Sequence, residues 1–276
     1  MSPLLLLTDF SETGNHAVEY GYHLAKCLKT NVLLCNAVNL TDKANVLWPI
    51  EANSALVDNS LDELRKLKMR LKDSDHHMAF YPKIDYFASL GELLEVVSGL
   101  RKMQTFSIVV IGAHRTGFGR FLVENHCKSM IESLNCPLLI VPKEAPLSDV
   151  KKIAFATDYK DHKRDLDNVY RLIPIAERME AVIMLAHIHK GEIKNKKAIE
   201  KVFLTELSNE GNYPIFYSCM EHDQADDGLC AMCSEQQVDM LVMLHRSRNF
   251  IEMIFKGSHT HKVAEKVTVP LMVIPE

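Results

Sequence analysis

Five histidines gather in the later part of the chain: His187 and His189, His245, and the pair His259 and His261. Imidazole is the commonest metal ligand. With Asp158 these residues form a mixed nitrogen and oxygen set of the kind zinc accepts. His187 and His189 end an apolar run, so on a strand both face the same way. His259 and His261 stand at an expected helix start, where positions two apart diverge. The five therefore cannot all converge on one ion, and solvated polar residues around a crevice are the plainer reading. Cys230-Ala231-Met232-Cys233 has the spacing of a redox pair, and Asp226-Asp227-Gly228 before it is compatible with a helix start that would lower a thiol pKa. No second such pair accompanies it, and an apolar helical face holding Cys230, Ala231 and Cys233 fits better. The chain has no G-x-S-x-G elbow, no complete phosphate-binding G-x-x-x-x-G-K-[S/T] loop and no H-E-x-x-H, so it is not expected to be an enzyme.

Composition narrows the classes further. Of 276 residues, 47% are hydrophobic and 25% charged, the range of a chain that folds around a core. The net charge of −4 leaves no basic excess to track phosphate backbones, so nucleic acid is not an expected partner. No apolar run reaches the roughly 18–20 residues of a membrane span. Met1-Ser2-Pro3 leads directly into a strand-like run, and the seven cysteines read as thiols of a cytoplasmic protein.

The elements that must position these residues come in two sets. Leu4–Leu7 followed by Thr8-Asp9-Phe10 recurs as Ile153–Ala156 followed by Thr157-Asp158-Tyr159. The endings repeat too, Cys136–Pro142 against Val269–Pro275, and the polar stretch Lys143–Asp149 between the copies suits a linker. The expected domains are residues 1–144 and 150–276. In the first, the short runs Leu4–Leu7, Val32–Val38, Lys83–Ala88, Ile108–Ile111 and Leu138–Val141 predict strands buried on both faces. Helical spacing marks Asn15–Lys29, Ser54–Leu71, Leu90–Met103 and Leu122–Leu134. The second copy predicts strands at Ile153–Ala156, Val182–Ile188, Ile215–Ser218, Met240–Met243 and Leu271–Ile274, with helices over 162–178, 195–208, 226–236 and 257–267. Alternating β and α segments imply α/β architecture with parallel sheets and right-handed crossovers, and ligands outside the carboxyl ends of the strands.

Thr8-Asp9-Phe10-Ser11-Glu12, Ile111-Gly112-Ala113-His114-Arg115 and Cys136–Val141 resemble the universal stress protein family, as do Thr157-Asp158, Gly257-Ser258 and Val269–Ile274. The resemblance covers nearly the whole chain as two tandem copies. It implies two open parallel five-stranded α/β sandwiches of the adenine nucleotide alpha hydrolase-like kind, related by a pseudo-twofold. In one branch of the family ATP lies in the crevice. There an Asp after the first strand faces adenine and a residue ending the second strand adds backbone contacts. A loop of pattern G-2x-G-9x-G-[S/T] wraps ribose and phosphates before a helix N-terminus. The matching positions are Asp9 and Val38 in the first copy, and Asp158 and His189 in the second. Glycines there permit close backbone approach, and free N–H groups with the helix dipole attract anions.

Both copies depart from that loop. In the first, Gly112 is kept, Arg115 stands near the second glycine, and Glu124-Asn125 replaces the final Gly-Ser. Glu124 near a helix start would repel a phosphate, whereas Gly117 offers flexibility and Arg115 charge. In the second, Leu244 and Ser247 replace both early glycines and only Gly257-Ser258 matches. Gly112 and Gly257 read equally as turn residues, and Asp9 and Asp158 as either caps or an inherited site. The expected function is a non-catalytic stress-response module for ligand binding or protein interaction, with a degenerate nucleotide site. The alternatives are ATP binding through the first domain and zinc binding through the second. The expected partners are the two domains themselves, paired within the chain along their last apolar strands, with a homodimer and an unidentified protein beyond that.

Overall fold

A computed structural model describes residues 1–39, 50–73, 80–113, 130–131, 133–157, 162–191, 213–245 and 268–275. Met1–Lys143 and Glu144–Ile274 form two compact units. The expected helices over 195–208 and 257–267, and most of Leu122–Leu134, lie outside the described residues.

In the first unit the strands are β1 (Leu4–Leu7), β2 (Val32–Val38), β3 (Ile84–Leu90), β4 (Ile108–Ala113) and β5 (Leu138–Pro142). They stand side by side in the order β3-β2-β1-β4-β5, and every pair is parallel. All four leucines of β1 are buried, as a central strand covered on both faces requires. Edge strand β3 instead buries only Ile84 and Ala88. The helices are α1 (Glu12–Leu28), α2 (Ile50–Asp73) and α3 (Leu93–Met103). Leu90, expected to open a helix, closes β3. Gly91 at φ 136° breaks the chain direction, and the helix begins only at Leu93.

The second unit repeats the plan. Its strands are β6 (Lys152–Ala156), β7 (Val182–His189), β8 (Ile215–Glu221), β9 (Met240–His245) and β10 (Leu271–Pro275), in the order β10-β9-β6-β7-β8. Its described helices are α4 (His162–Met179) and α5 (Ala225–Glu235). The peptide N–H of Leu241 donates to the Pro270 carbonyl at 2.9 Å, just as Val109 donates to Pro137 at 2.9 Å in the first unit. In both units the chain leaves the first strand to one side and returns on the other at the fourth, which opens a crevice at the carboxyl ends of those two strands.

Several strands run past their apolar stretch, among them β7 to His189 and β9 to His245. Ladder hydrogen bonds depend on the backbone and tolerate polar side chains, so the crevice ends are regular strand.

Three helices end alike. Lys29, Glu180 and Gln237 take left-handed backbone angles (φ 51°, 52° and 52°). Each donates its N–H three residues back, and the next residue donates five back, to Ala25, Ala176 and Cys233. This paired closure satisfies carbonyls that the helix end leaves open.

Candidate functional site

The register aligns the two crevices residue by residue. Leu4 pairs with Val32 and Ile108, and Ile153 with Ile183 and Met240. Thr8 therefore corresponds to Thr157, Asn36 to His187, Val38 to His189, and Gly112 to Leu244.

In the first unit the Thr8 N–H donates to the Cys35 carbonyl at 3.0 Å, extending the β1–β2 ladder. The buried Asn36 donates from Nδ2 to the Thr8 carbonyl at 2.7 Å and accepts from the Ser60 hydroxyl of α2 at 2.9 Å. The Thr8 hydroxyl donates to Asn15 Oδ1 at 3.1 Å and accepts the Phe10 N–H at 2.9 Å, while Asn15 Nδ2 donates to the Phe10 carbonyl at 3.1 Å. These bonds hold Phe10 at φ 64°, a region that costs a non-glycine residue about 1–3 kcal/mol.

Asp9 is exposed at the top of this turn. Its Oδ1 accepts from the Ser11 N–H at 3.0 Å and from the Ser11 hydroxyl at 2.5 Å. Ser11 Oγ in turn accepts the Gly14 N–H at 3.0 Å and caps α1. A Cβ on Gly14 would come within 2.4 Å of that carboxylate oxygen, so glycine is what lets Asp9 lean on the first turn of the helix. The cap and the exposed carboxylate are one arrangement.

Gly112 ends β4 against the same helix turn. A Cβ there would stand 2.8 Å from the Thr13 carbonyl oxygen, so packing alone demands the glycine. The Val38 carbonyl already accepts the Gly91 N–H at 3.1 Å, and the equivalent His189 carbonyl accepts the His222 N–H at 2.9 Å. Arg115, Gly117 and Asn125 lie outside the described residues, as does Glu124.

In the second unit the Thr157 N–H donates to the Ala186 carbonyl at 3.0 Å. Its hydroxyl donates to Asp165 Oδ2 at 2.5 Å, and that carboxylate is wholly buried in the first turn of α4, where the helix dipole favours negative charge. His187 Nδ1 meets the Thr157 carbonyl at 2.9 Å. A carbonyl only accepts, so Nδ1 carries the proton. His189 does the same toward Gly191 at 2.8 Å. The two imidazoles stack with centroids 6.2 Å apart and planes 18° from parallel. Nδ1–H on a carbonyl leaves Nε2 of each ring as the nitrogen a metal would take, but among the described residues no third His, Cys, Asp or Glu stands with the pair to complete a site. Asp158, Gly257, Ser258, His259 and His261 lie outside the described residues, as does the side chain of His245. Leu244 is buried where the first unit has its glycine.

Cys230 and Cys233 sit in the interior of α5, away from its N-terminus, so no helix dipole activates them. Burial and the neighbouring Cys230 push the Cys233 thiol up to about 12, and it packs in the core with Leu229 and Met232. Burial alone takes Cys35 to about 12 as well.

Sequence reasoning missed Asn15, Asn36 and Asp165. The available signal was a polar residue inside each second strand, Asn36 and His187, each two residues before the strand's end.

The fold is an open parallel α/β sheet in each of two like units, with a hydrogen-bonded threonine just past the end of the first strand in each. The profile of the Universal stress protein family matches residues 1–142 and 189–275, and the chain belongs to that family. Among solved structures it is similar to a universal stress protein from Archaeoglobus fulgidus DSM 4304, at 16% identity and a TM-score of 0.70, covering 100% of this chain and 96% of that one. It is also similar to a putative universal stress protein from Pseudomonas aeruginosa UCBPP-PA14, at 10% identity and a TM-score of 0.57, covering 100% and 93%. The cytoplasmic domain of a prokaryotic cation chloride cotransporter shares the fold at 10% identity and a TM-score of 0.53, covering 99% and 94%. No curated protein matches the sequence. No helix among the described residues is long and apolar enough to cross a membrane.

Proposed function

We propose that this universal stress protein is a non-catalytic module for ligand binding and protein interaction, in which only the first unit keeps a nucleotide-class site, and a weak one. The carrying observation is Asp9: its carboxylate is exposed at the carboxyl end of β1, where the resemblance sets the Asp that faces adenine, and Ser11 fixes its Oδ1. Gly112 is accounted for by packing, and the second unit has the buried Leu244 at the equivalent place. Weakness follows from Glu124, which the sequence sets where the nucleotide-binding branch has glycine. Calorimetric titration of the full chain with ATP tests the reading. Binding in the millimolar range at a single site, lost in Asp9→Ala with the fold intact, is the expected result. Micromolar affinity at two sites, or stoichiometric ATP in the purified protein, refutes it. Zinc at His187 and His189 is the less favoured ligand, because no third ligand stands with them among the described residues.

On the sequence argument we further propose that the two copies pair through their last apolar strands, Leu138–Val141 and Leu271–Ile274. An open apolar strand edge is otherwise a site of aggregation. Truncation after Asp149 tests this: a well-behaved monomeric first copy counts against it. The cytoplasm is the proposed location, since the free buried thiols Cys35, Cys136 and Cys233 suit a reducing compartment.

A further inference from the structure

At the end of the first sheet opposite the crevice the helices finish and the strands begin, because helical crossovers join parallel strands. Hydrogen bonds knit the loops there together. The Ser2 and Thr105 hydroxyls, ahead of β1 and β4, lie 3.0 Å apart. The Thr30 hydroxyl, between α1 and β2, donates to the Ser2 carbonyl at 3.1 Å. Its neighbour Asn31 accepts the N–H of Lys83, just ahead of β3, at 3.0 Å. One lattice therefore ties the starts of four strands. The side chains around it are cationic and apolar. Lys29 closes α1, Arg70 and Lys72 lie in the last turn of α2 and Lys102 in that of α3, and all four are exposed. Met103 and Tyr81, two residues from Thr105 and Lys83, are 81% and 54% exposed. The acids among the described residues of these helix ends and loops are Asp73 and Asp85, and Asp85 is paired with Lys83 at 2.8 Å. Basic residues satisfy the dipole at a helix end, yet the second unit makes little use of them. Glu180 stands where Lys29 stands, α4 has only Arg178 in its last turn, and the last turn of α5 has no basic residue.

We propose that this pole of the first unit docks on an anionic bilayer surface. Lysine and arginine near such a surface are drawn to its headgroups. Met103 supplies an apolar side chain, and Tyr81 a ring with a polar tip, for the boundary between headgroups and acyl chains. A protein partner is the poorer match, because lysine is depleted in protein–protein interfaces and three of the four exposed cations are lysine. They also come from three separate helix ends, a spread that many mobile headgroups can meet at once. The whole chain carries a net charge of −4, so the contrast between this pole and the rest turns the pole toward a negative surface. Docking leaves the crevice, at the other end of the strands, open whether or not it holds a nucleotide.

The test is flotation of the full chain with vesicles of phosphatidylcholine alone and of phosphatidylcholine mixed with phosphatidylserine. The native protein is expected to float with the mixed vesicles only, and to be released as salt screens the charges. Each lysine neutralised should weaken binding about fivefold, so Lys29→Gln, Lys72→Gln and Lys102→Gln together should weaken it roughly a hundredfold. Met103→Ser should weaken it by a smaller factor. A control in the second unit, Lys163→Gln with Arg171→Gln and Lys190→Gln, removes the same charge and should bind as the native protein does, while circular dichroism establishes that each variant folds. Equal binding to neutral vesicles, native affinity in the first triple variant, or an equal loss in the control overturns the assignment. Tighter binding to poly-glutamate than to the mixed vesicles overturns it too, by assigning the pole to an acidic protein segment.

Discussion

In the first unit the carbonyl of Thr8 rests on the amide of Asn36 and its hydroxyl on the amide of Asn15; in the second, Thr157 meets the imidazole of His187 and the carboxylate of Asp165. The bonds do the same work in both places: a donor satisfies the carbonyl and an acceptor takes the hydroxyl proton. Amides supply both roles without charge. The second unit supplies them with groups that titrate. What the fold demands at a strand end is therefore a hydrogen-bonding role rather than a residue type. The stretch that the family profile passes over, 143–188, contains Thr157, Asp165 and His187.

Exchanging the residues at the end of the fourth strand is the strongest way to break this comparison. Gly112→Leu installs the second unit's residue in the first, where even a Cβ stands 2.8 Å from the Thr13 carbonyl. Overpacking against backbone is expected to cost about 2–3 kcal/mol, read as a lowered urea midpoint. A midpoint equal to that of the native protein would mean that α1 yields easily and that packing does not explain the glycine.

A smaller contrast sharpens the comparison at the second strand. Asn36→Ala leaves the Thr8 carbonyl and the Ser60 hydroxyl without their buried partner and should cost about 2–3 kcal/mol. His187→Ala should cost about 1 kcal/mol, since the imidazole is half-buried and solvent can enter the space it leaves. Equal losses by chemical denaturation would show that the two threonines are held equally tightly.

The smallest effect is one in which the units should agree. Each carries a thiol that burial raises from 9.0 to about 12, Cys35 in the first and Cys233 in the second. Because the folded pKa lies above the unfolded one, the neutral thiol's contribution to stability is whole below about pH 9 and is lost as pH climbs toward 12. Denaturation at neutral pH and near pH 10 should show this decline, and Cys35→Ala and Cys233→Ala should each make it shallower. A decline unchanged by either substitution assigns it to other groups. At neutral pH both thiols should resist alkylation in the folded protein.

The strands could be read from the sequence because runs such as Leu4–Leu7 and Leu138–Val141 are continuous and apolar, and only burial on both faces explains such runs. Leu90 misled because its apolar character serves a strand end as well as a helix start, and the φ of Gly91 that decides between them is not written in residue type. At the site, Asp9 was legible as either a cap or an inherited site residue, yet its union with Ser11, the residue that caps the helix, was not. It depends on a carboxylate folding back onto Ser11 over the space that Gly14 leaves. Gly112 invited a phosphate-loop reading, since a sequence cannot show a helix carbonyl pressed against a strand. Asn36 was hidden by its neighbours: a lone polar residue in Val-Leu-Leu-Cys-Asn-Ala-Val reads as an interruption until the register sets it beneath Thr8.

The left-handed helix ends at Lys29, Glu180 and Gln237 have a practical consequence. All three place a Cβ where backbone sterics disfavour it, and all three are closed by the same pair of hydrogen bonds, so the conformation is fixed whatever the side chain. Glycine fits this conformation without strain. Lys29→Gly, Glu180→Gly and Gln237→Gly are thus three separate routes to a more heat-resistant protein, each gaining on the order of 1 kcal/mol. They sit at the ends of different helices, so their gains should add in a triple variant.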